Sequence, residues 1–88
     1  MISTRHAEER WRQRFSSGED MEEAMARSKK VGRASRVMRR IMEVERPRNR
    51  MNLMKRRDGV HVRFDEETMA VFICTREGVV KTCYRLTF

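Results

Sequence analysis

The fold is decided by residues 60–88, which read VHVRFDEETMAVFICTREGVVKTCYRLTF. Apolar and polar residues alternate over 60–64, which is the period-two pattern of a β-strand. A second, mostly apolar strand is predicted over 69–75 and a third over 79–86. The dipeptide Glu77-Gly78 between them is typical of a tight hairpin turn. This segment therefore predicts an antiparallel meander of at least three strands.

The turns also predict which side chains share a face of the sheet. A two-residue loop at Glu77-Gly78 pairs Ile73 with Thr82, and a turn at 65–68 pairs Phe64 with Met69. The face expected to pack against helices carries Val60, Val62, Phe64, Val71, Ile73, Val80, Tyr84 and Leu86. The opposite face is expected to be open, and it carries His61, Arg63, Phe72, Cys74, Lys81, Cys83 and Arg85.

The residues before the meander have helical signals. A first helix is predicted near 4–15, and a second follows a Ser-Ser-Gly break. Gly32 separates the second helix from a third near 33–45. Pro47 is expected to end this third helix, because the residue before a proline avoids the helical region.

The predicted fold class is α+β, with two or three N-terminal helices packed on a three- to four-stranded antiparallel sheet. The fourth strand is expected at 50–56, before a turn at Asp58-Gly59. A chain of 88 residues is long enough for one domain. We expect that domain to span 1–88, with a helical half at 1–46 and an antiparallel β meander at 48–88.

The net charge of +8 is concentrated in one part of the chain. Residues 27–57 hold thirteen basic residues against two acidic ones. Such a block is typical of a surface that binds nucleic acid or another polyanion, and the alternative is a solvated face. The residues expected to contact nucleic acid are Lys29, Lys30, Arg33, Arg36, Arg40, Arg48, Arg50, Arg56 and Arg57.

The predicted open face carries candidate catalytic residues. His61 is a candidate general base or acid, and Arg63, Lys81 and Arg85 are candidates to hold the phosphate during RNA cleavage. Phe72 is a candidate platform for stacking a base. The alternative is that these residues form the exposed polar face of a small sheet.

His6 is a second candidate acid or base, in the first turn of the first helix. Arg10 and Arg14 follow it at i+4 and i+8, so the three residues form a ridge that could bind phosphate. The alternative is that His6 packs on the edge of the sheet, with both arginines solvated or paired with glutamates.

The pattern SxRHAxxRxxxR at residues 3–14 resembles the start of small proteins in the barnase–EndoU–colicin–RelE superfamily. Residues 60–65 and 79–82 are similar to the sheet half of such proteins. The resemblance implies a helical pair followed by an antiparallel sheet. It also implies metal-independent RNA cleavage, often as a toxin, on the sheet face away from the helices. His6, Arg10 and Arg14 match the helical motif.

Two function classes follow, and the sequence leaves both open. The first is a metal-independent endoribonuclease that forms 2′,3′-cyclic phosphate. The second is a non-enzymatic regulator, encoded by a phage or mobile element, that binds nucleic acid or an acidic protein and acts on host machinery. In that case the Arg-rich segment 28–47 would be the binding arm. A purely structural subunit is a third, weaker alternative.

Composition excludes other classes. No run of 18 apolar residues is present and no export signal precedes the first helix, so we expect a cytoplasmic protein without a membrane contact. We expect reduced thiols at Cys74 and Cys83, which is the default in that compartment. The spacing of the cysteines and histidines matches no zinc-finger pattern, so neither a metal site nor a cofactor is expected.

Overall fold

The computed structural model describes residues 1–55 and 57–88. These residues form four α-helices and a four-stranded antiparallel sheet, which confirms the predicted α+β class. The helices are α1 (Arg5–Arg14), α2 (Met21–Arg27), α3 (Arg36–Val44) and α4 (Pro47–Lys55). The strands are β1 (Lys29–Lys30), β2 (His61–Asp65), β3 (Ala70–Cys74) and β4 (Val80–Arg85), and their spatial order is β1-β2-β3-β4.

The first three helices begin at residues whose side chains accept a backbone hydrogen bond. Thr4, Asp20 and Ser35 each accept from an N–H in the first turn of α1, α2 and α3, respectively. Such caps satisfy donors that have no partner inside the helix. The capping residues therefore set where these helices begin.

The expectation of a strand at 50–56 is wrong for the described residues, which lie in α4 up to Lys55; residue 56 lies outside the description. Pro47 begins α4, whereas α3 already ends at Val44. Proline suits the first position of a helix, since its missing N–H would have no partner there. The fourth strand is instead β1, which pairs with β2 from within the half expected to be helical.

The β3–β4 hairpin follows the predicted register in its body but not at its turn. Ile73 pairs with Thr82 as expected, whereas Cys74 pairs with Val80, so that Lys81 is the extra residue of a β-bulge. The bulge moves Val80 to the opposite face of the sheet from Ile73. The predicted faces of Val80 and Lys81 are therefore wrong.

The β2–β3 register is two residues away from the expected one. Phe64 pairs with Val71 rather than with Met69, and the connecting turn follows Asp65. A shift of two residues leaves every side chain on its predicted face, because side chains alternate with a period of two.

The buried carboxylate of Asp65 ties α2 to this turn. Arg27 Nη2 donates to Asp65 Oδ2 at 2.9 Å, and the hydroxyl of Thr68 donates to the same oxygen at 2.7 Å. Burial acts to raise the pKa of Asp65, but the hydrogen bonds from Arg27 and Thr68 lower it overall.

Helices cover both faces of the sheet, so the expectation of an open face is wrong. One core lies under α3 and α4 and contains Val31, Met38, Ile41, Leu53, Val62, Val71 and Leu86. The other lies under α1 and α2 and contains Ala7, Trp11, Phe15, Ala24, Ala70, Phe72, Cys74, Val80 and Cys83. Every residue of β3 is apolar. If either face of the sheet were uncovered, apolar side chains of β3 would be exposed to water, which is unfavourable.

The start of the chain lies along the outer edge of β4. Thr4 N donates to the carbonyl of Val80, and Val80 N donates to the carbonyl of Ile2, both at 2.9 Å. These hydrogen bonds place the first turn of α1 directly beside β4. Among the described residues, no helix is long and apolar enough to cross a membrane.

Candidate active site

The residues predicted on the open face do not converge. Arg63 donates from Nε to Ser28 Oγ at 2.9 Å and from Nη2 to the Ser28 carbonyl at 2.6 Å, which fastens the end of α2 to β2. Lys81 and Arg85 line two different grooves. The ring of His61 is half-buried, with Nδ1 3.4 Å from the carbonyl of Gly59.

Phe72 is completely buried and therefore cannot stack a base in this packing. Its ring lies against that of Trp11, with centroids 5.9 Å apart and planes 10° from parallel. Cys74 and Cys83 are buried free thiols in the same core. Burial raises the pKa of each thiol to about 11, so neither is a reactive nucleophile in the folded protein.

A different set of predicted residues does share one groove. His6, Arg10 and Arg14 lie on its α1 side, and Arg85 lies on its β4 side. We call it the α1–β4 groove; its volume is about 600 Å³. It is completed by Val44, Glu45, Arg46, Asn49, Thr82, Tyr84, Leu86 and Thr87.

The sequence pattern of α1 explains why its basic ridge faces this groove. Ala7 and Trp11 are buried against the sheet, whereas His6 and Arg14 are exposed and Arg10 is half-buried. Residues separated by four positions lie on one side of a helix, so the basic ridge runs beside the apolar one. The pairing of the preceding segment with β4 then fixes the ridge along the strand.

Arg85 is held on the rim of the groove by two contacts. Its Nη2 lies 2.6 Å from Glu19 Oε1, and its guanidinium lies 4.7 Å from the centroid of the Phe15 ring. Hydrogen bonds from the backbone and hydroxyl of Ser16, with the contact to Arg85, lower the pKa of Glu19. Since 43% of the Arg85 side chain is still exposed, its charge remains accessible from the groove.

Glu45 and Tyr84 add the acidic and phenolic groups of the groove. Glu45 Oε2 accepts from Asn49 Nδ2 at 3.2 Å. The Tyr84 hydroxyl is buried beside the carboxylate of Glu45. Burial, together with the nearby negative charge of Glu45, raises the pKa of Tyr84 above its usual range. Tyr84 therefore keeps its proton.

A second groove continues from the first along the α4 side of β4. It shares Glu45, Asn49 and Thr82 with the α1–β4 groove and has a volume of about 460 Å³. Lys81 lies on its lining, because the β-bulge turns this residue away from the α1 side. The two grooves together form a continuous polar path beside β4.

The remaining predicted nucleic-acid contacts lie on separate surfaces. Lys29 and Lys30 are exposed on the edge strand β1, and Arg33 and Arg48 are also exposed. Arg50 is occupied structurally, because its Nε donates to the carbonyl of Glu45 at 2.7 Å.

Two further residues of the predicted set lie on α3. Arg36 and Arg40 lie on α3, beside the segment that follows β4. Arg56 lies outside the described residues, and the side chain of Arg57 is likewise not described.

Among the groove residues outside the predicted set are Glu45, Arg46, Asn49 and Tyr84. Glu45 had one available signal, since it is one of two acidic residues inside the basic block. The predicted register puts Tyr84 on the core face, and Tyr84 packs against that core. No sequence signal shows that the connection between α3 and α4 lies across a groove from α1, because this arrangement depends on helices packing on both sides of the sheet. No three described His, Cys, Asp or Glu side chains converge as a metal site requires.

The family model described as "Putative RelE superfamily toxin domain" matches residues 2–87. No curated protein and no solved structure matches the chain.

Proposed function

Because the chain belongs to this family of RelE superfamily toxin domains, we propose that it is a toxin that cleaves RNA without a metal ion, in the α1–β4 groove. The observation that carries the proposal is the convergence of His6 with Arg10, Arg14, Arg46 and Arg85 in that groove. An imidazole among several guanidinium groups supplies both proton transfer and phosphate binding.

The cleavage step uses the 2′-hydroxyl of RNA as its nucleophile. Glu45 accepts the proton of this hydroxyl while the 2′-oxygen bonds to phosphorus. His6, protonated, donates its proton to the 5′-oxygen as the bond between phosphorus and that oxygen breaks. The products are a 2′,3′-cyclic phosphate and a free 5′-hydroxyl.

The arginines stabilise the charge that develops on the phosphate. One guanidinium group can bind a phosphate through two parallel N–H···O hydrogen bonds. Preorganised cations stabilise the transition state most where negative charge increases during the reaction. Arg85 is preorganised by Glu19 and Phe15.

The proposal is tested with end-labelled RNA in EDTA. His6→Ala should lower the cleavage rate by at least about 100-fold, which is typical of removing a general acid. His61→Ala is the matched control and should cleave like the unmodified protein, since His61 is half-buried outside the groove. RNA with a single 2′-deoxynucleotide at the cleaved position should stay intact there.

The arginines offer a second matched pair. Arg10→Ala should slow cleavage, whereas Arg12→Ala, on the same helix but outside the groove lining, should not. Loss of activity in His61→Ala with full activity in His6→Ala would overturn the assignment of the site. Intact RNA with the unmodified protein, free or bound to ribosomes, would overturn the enzymatic function.

The alternative function is a non-enzymatic regulator that binds nucleic acid or an acidic protein. It is favoured by the exposed basic residues outside the groove, among them Arg33, Arg36 and Arg48. Under this alternative the protein would be a regulator encoded by a phage or mobile element that acts in the cytoplasm on host machinery. In that case Arg33→Ala with Arg48→Ala would weaken binding and its salt dependence, while His6→Ala would change neither.

A further inference from the structure

An aromatic ring is held on the protein surface where the chain crosses α3 after β4. Leu86 is buried and anchors this segment. Arg40 Nε donates to the carbonyl of Thr87 at 2.6 Å, and the guanidinium of Arg36 lies 5.1 Å from the centroid of the Phe88 ring. Phe88 is nevertheless 54% exposed. The ring is therefore positioned by neighbours on α3 but is not part of a core.

The surroundings of this ring are basic. A cleft of about 360 Å³, which we call the Phe88 cleft, is lined by Arg36, Arg39, Arg40 and Glu43 as well as by Phe88. The carboxylate of Glu43 is paired with Arg40 Nη1 at 2.7 Å. Its negative charge is thus compensated, and Arg36 and Arg39 give the cleft a positive potential.

The Phe88 cleft adjoins the α1–β4 groove. Leu86 and Thr87 line the groove, and Phe88, the next residue, lines the cleft. Successive α-carbons are about 3.8 Å apart, so the two sites lie within reach of one short oligonucleotide. A strand bound in the groove can continue along this segment to the ring.

We propose that the Phe88 cleft is a base-stacking subsite for single-stranded RNA, with a base on Phe88 and the flanking phosphates on Arg36 and Arg39. The inference rests on the proposed function and deepens it, because it adds a binding subsite for the substrate beyond the α1–β4 groove. Aromatic rings beside a basic groove bind single strands through the π-face that every base offers. The bases of a duplex are already stacked on each other and are not available to the ring.

Binding is measured with a fluorescent 2′-O-methyl oligonucleotide about 12 nucleotides long, within the site sizes of single-strand binders. This probe cannot be cleaved, because its attacking hydroxyl is blocked. Phe88→Ala should weaken binding of the single strand by about 5- to 100-fold, as loss of one stacked base does. The weak binding of the duplex should not change. Met51→Ala is the matched control, since Met51 is 55% exposed on α4 outside the cleft.

A second variant reports stacking directly. Phe88→Trp should keep the affinity, and the introduced indole should lose fluorescence when the oligonucleotide binds. Trp11, the natural tryptophan, is 6% exposed in the core and should contribute little to this change.

Three results would overturn the subsite. They are an unchanged affinity in Phe88→Ala, an equal loss for single strand and duplex, and an indole that is not quenched at saturation.

The cleavage assay in EDTA decides the proposed function separately. If the unmodified protein cleaves RNA but Phe88→Ala does not change binding, the proposed function stands and the proposed subsite is wrong. If the Phe88 variants change binding as predicted but the unmodified protein cleaves no RNA, the subsite stands and the protein is a non-enzymatic RNA-binding protein.

Discussion

Replacement of Phe72 by alanine should destabilise the protein strongly, because the ring fills the core under α1. Phe72 has no exposed surface and lies in parallel contact with Trp11. A Phe→Ala change at such a site costs about 3–5 kcal/mol, from lost burial and from the cavity that remains. A domain of this length is stable by roughly 4–13 kcal/mol. The substitution should therefore remove a large part of the total stability.

The assay is thermal unfolding followed by circular dichroism, with the fluorescence of Trp11, the single tryptophan, as a second probe. The melting temperature of Phe72→Ala should fall by at least about 12 °C, since 1 kcal/mol corresponds to about 4–8 °C for domains of this size. Phe72→Leu should lose less, because it leaves a smaller cavity. Phe88→Ala is the matched control and should stay within about 0.5 kcal/mol of the unmodified protein.

One outcome would refute this reasoning. If Phe72→Ala kept the unfolding midpoint but lost RNA affinity, the ring would face solvent, as the sequence pattern predicted. The sheet would then have an open face, and α1 would not cover it as described.

Three further predictions concern single sites. The pKa of Asp65 is lower in the folded protein than in the unfolded chain, where it is about 3.9. The contribution of Asp65 to stability is therefore complete above pH values near 3.9, and it is lost as the pH falls through the pKa of the folded state. Asp65→Asn should thus cost about 1–3 kcal/mol near pH 7 and reduce the difference in stability between pH 7 and pH 3. Gly59→Ala should lower the free energy of unfolding, measured by thermal unfolding, by about 1–3 kcal/mol, because φ of Gly59 is +74° and an added Cβ would lie 2.6 Å from a neighbouring side chain. Gly18→Ala should change the free energy of unfolding little, since an added Cβ there would meet open space. Cys74 and Cys83 should resist iodoacetamide until the protein is denatured, and rapid labelling of the native protein would contradict their burial.

Short-range patterns were sufficient for most of the elements. The alternation at 60–64 and the apolar run that follows it predict two neighbouring strands, and the hairpin after them is local in sequence. Pro47 shows the limit of such reasoning, since a proline can end one helix or begin the next. Similarly, the bulge at Lys81 depends on how the hairpin turn closes, and it reversed the faces predicted for two residues.

The α+β class, the basic character of the chain and the ridge of His6, Arg10 and Arg14 can be predicted from the amino-acid sequence, because each depends on residue type or on spacing along one element. The residues that lie opposite that ridge depend instead on tertiary packing. Helices cover both faces of the sheet because β3 is apolar on both sides, and this moves the accessible polar surface from the face to the outer edge of β4. Glu45 and Tyr84 join His6 there although they are distant in sequence, since burial of apolar surface selects contacts irrespective of chain separation.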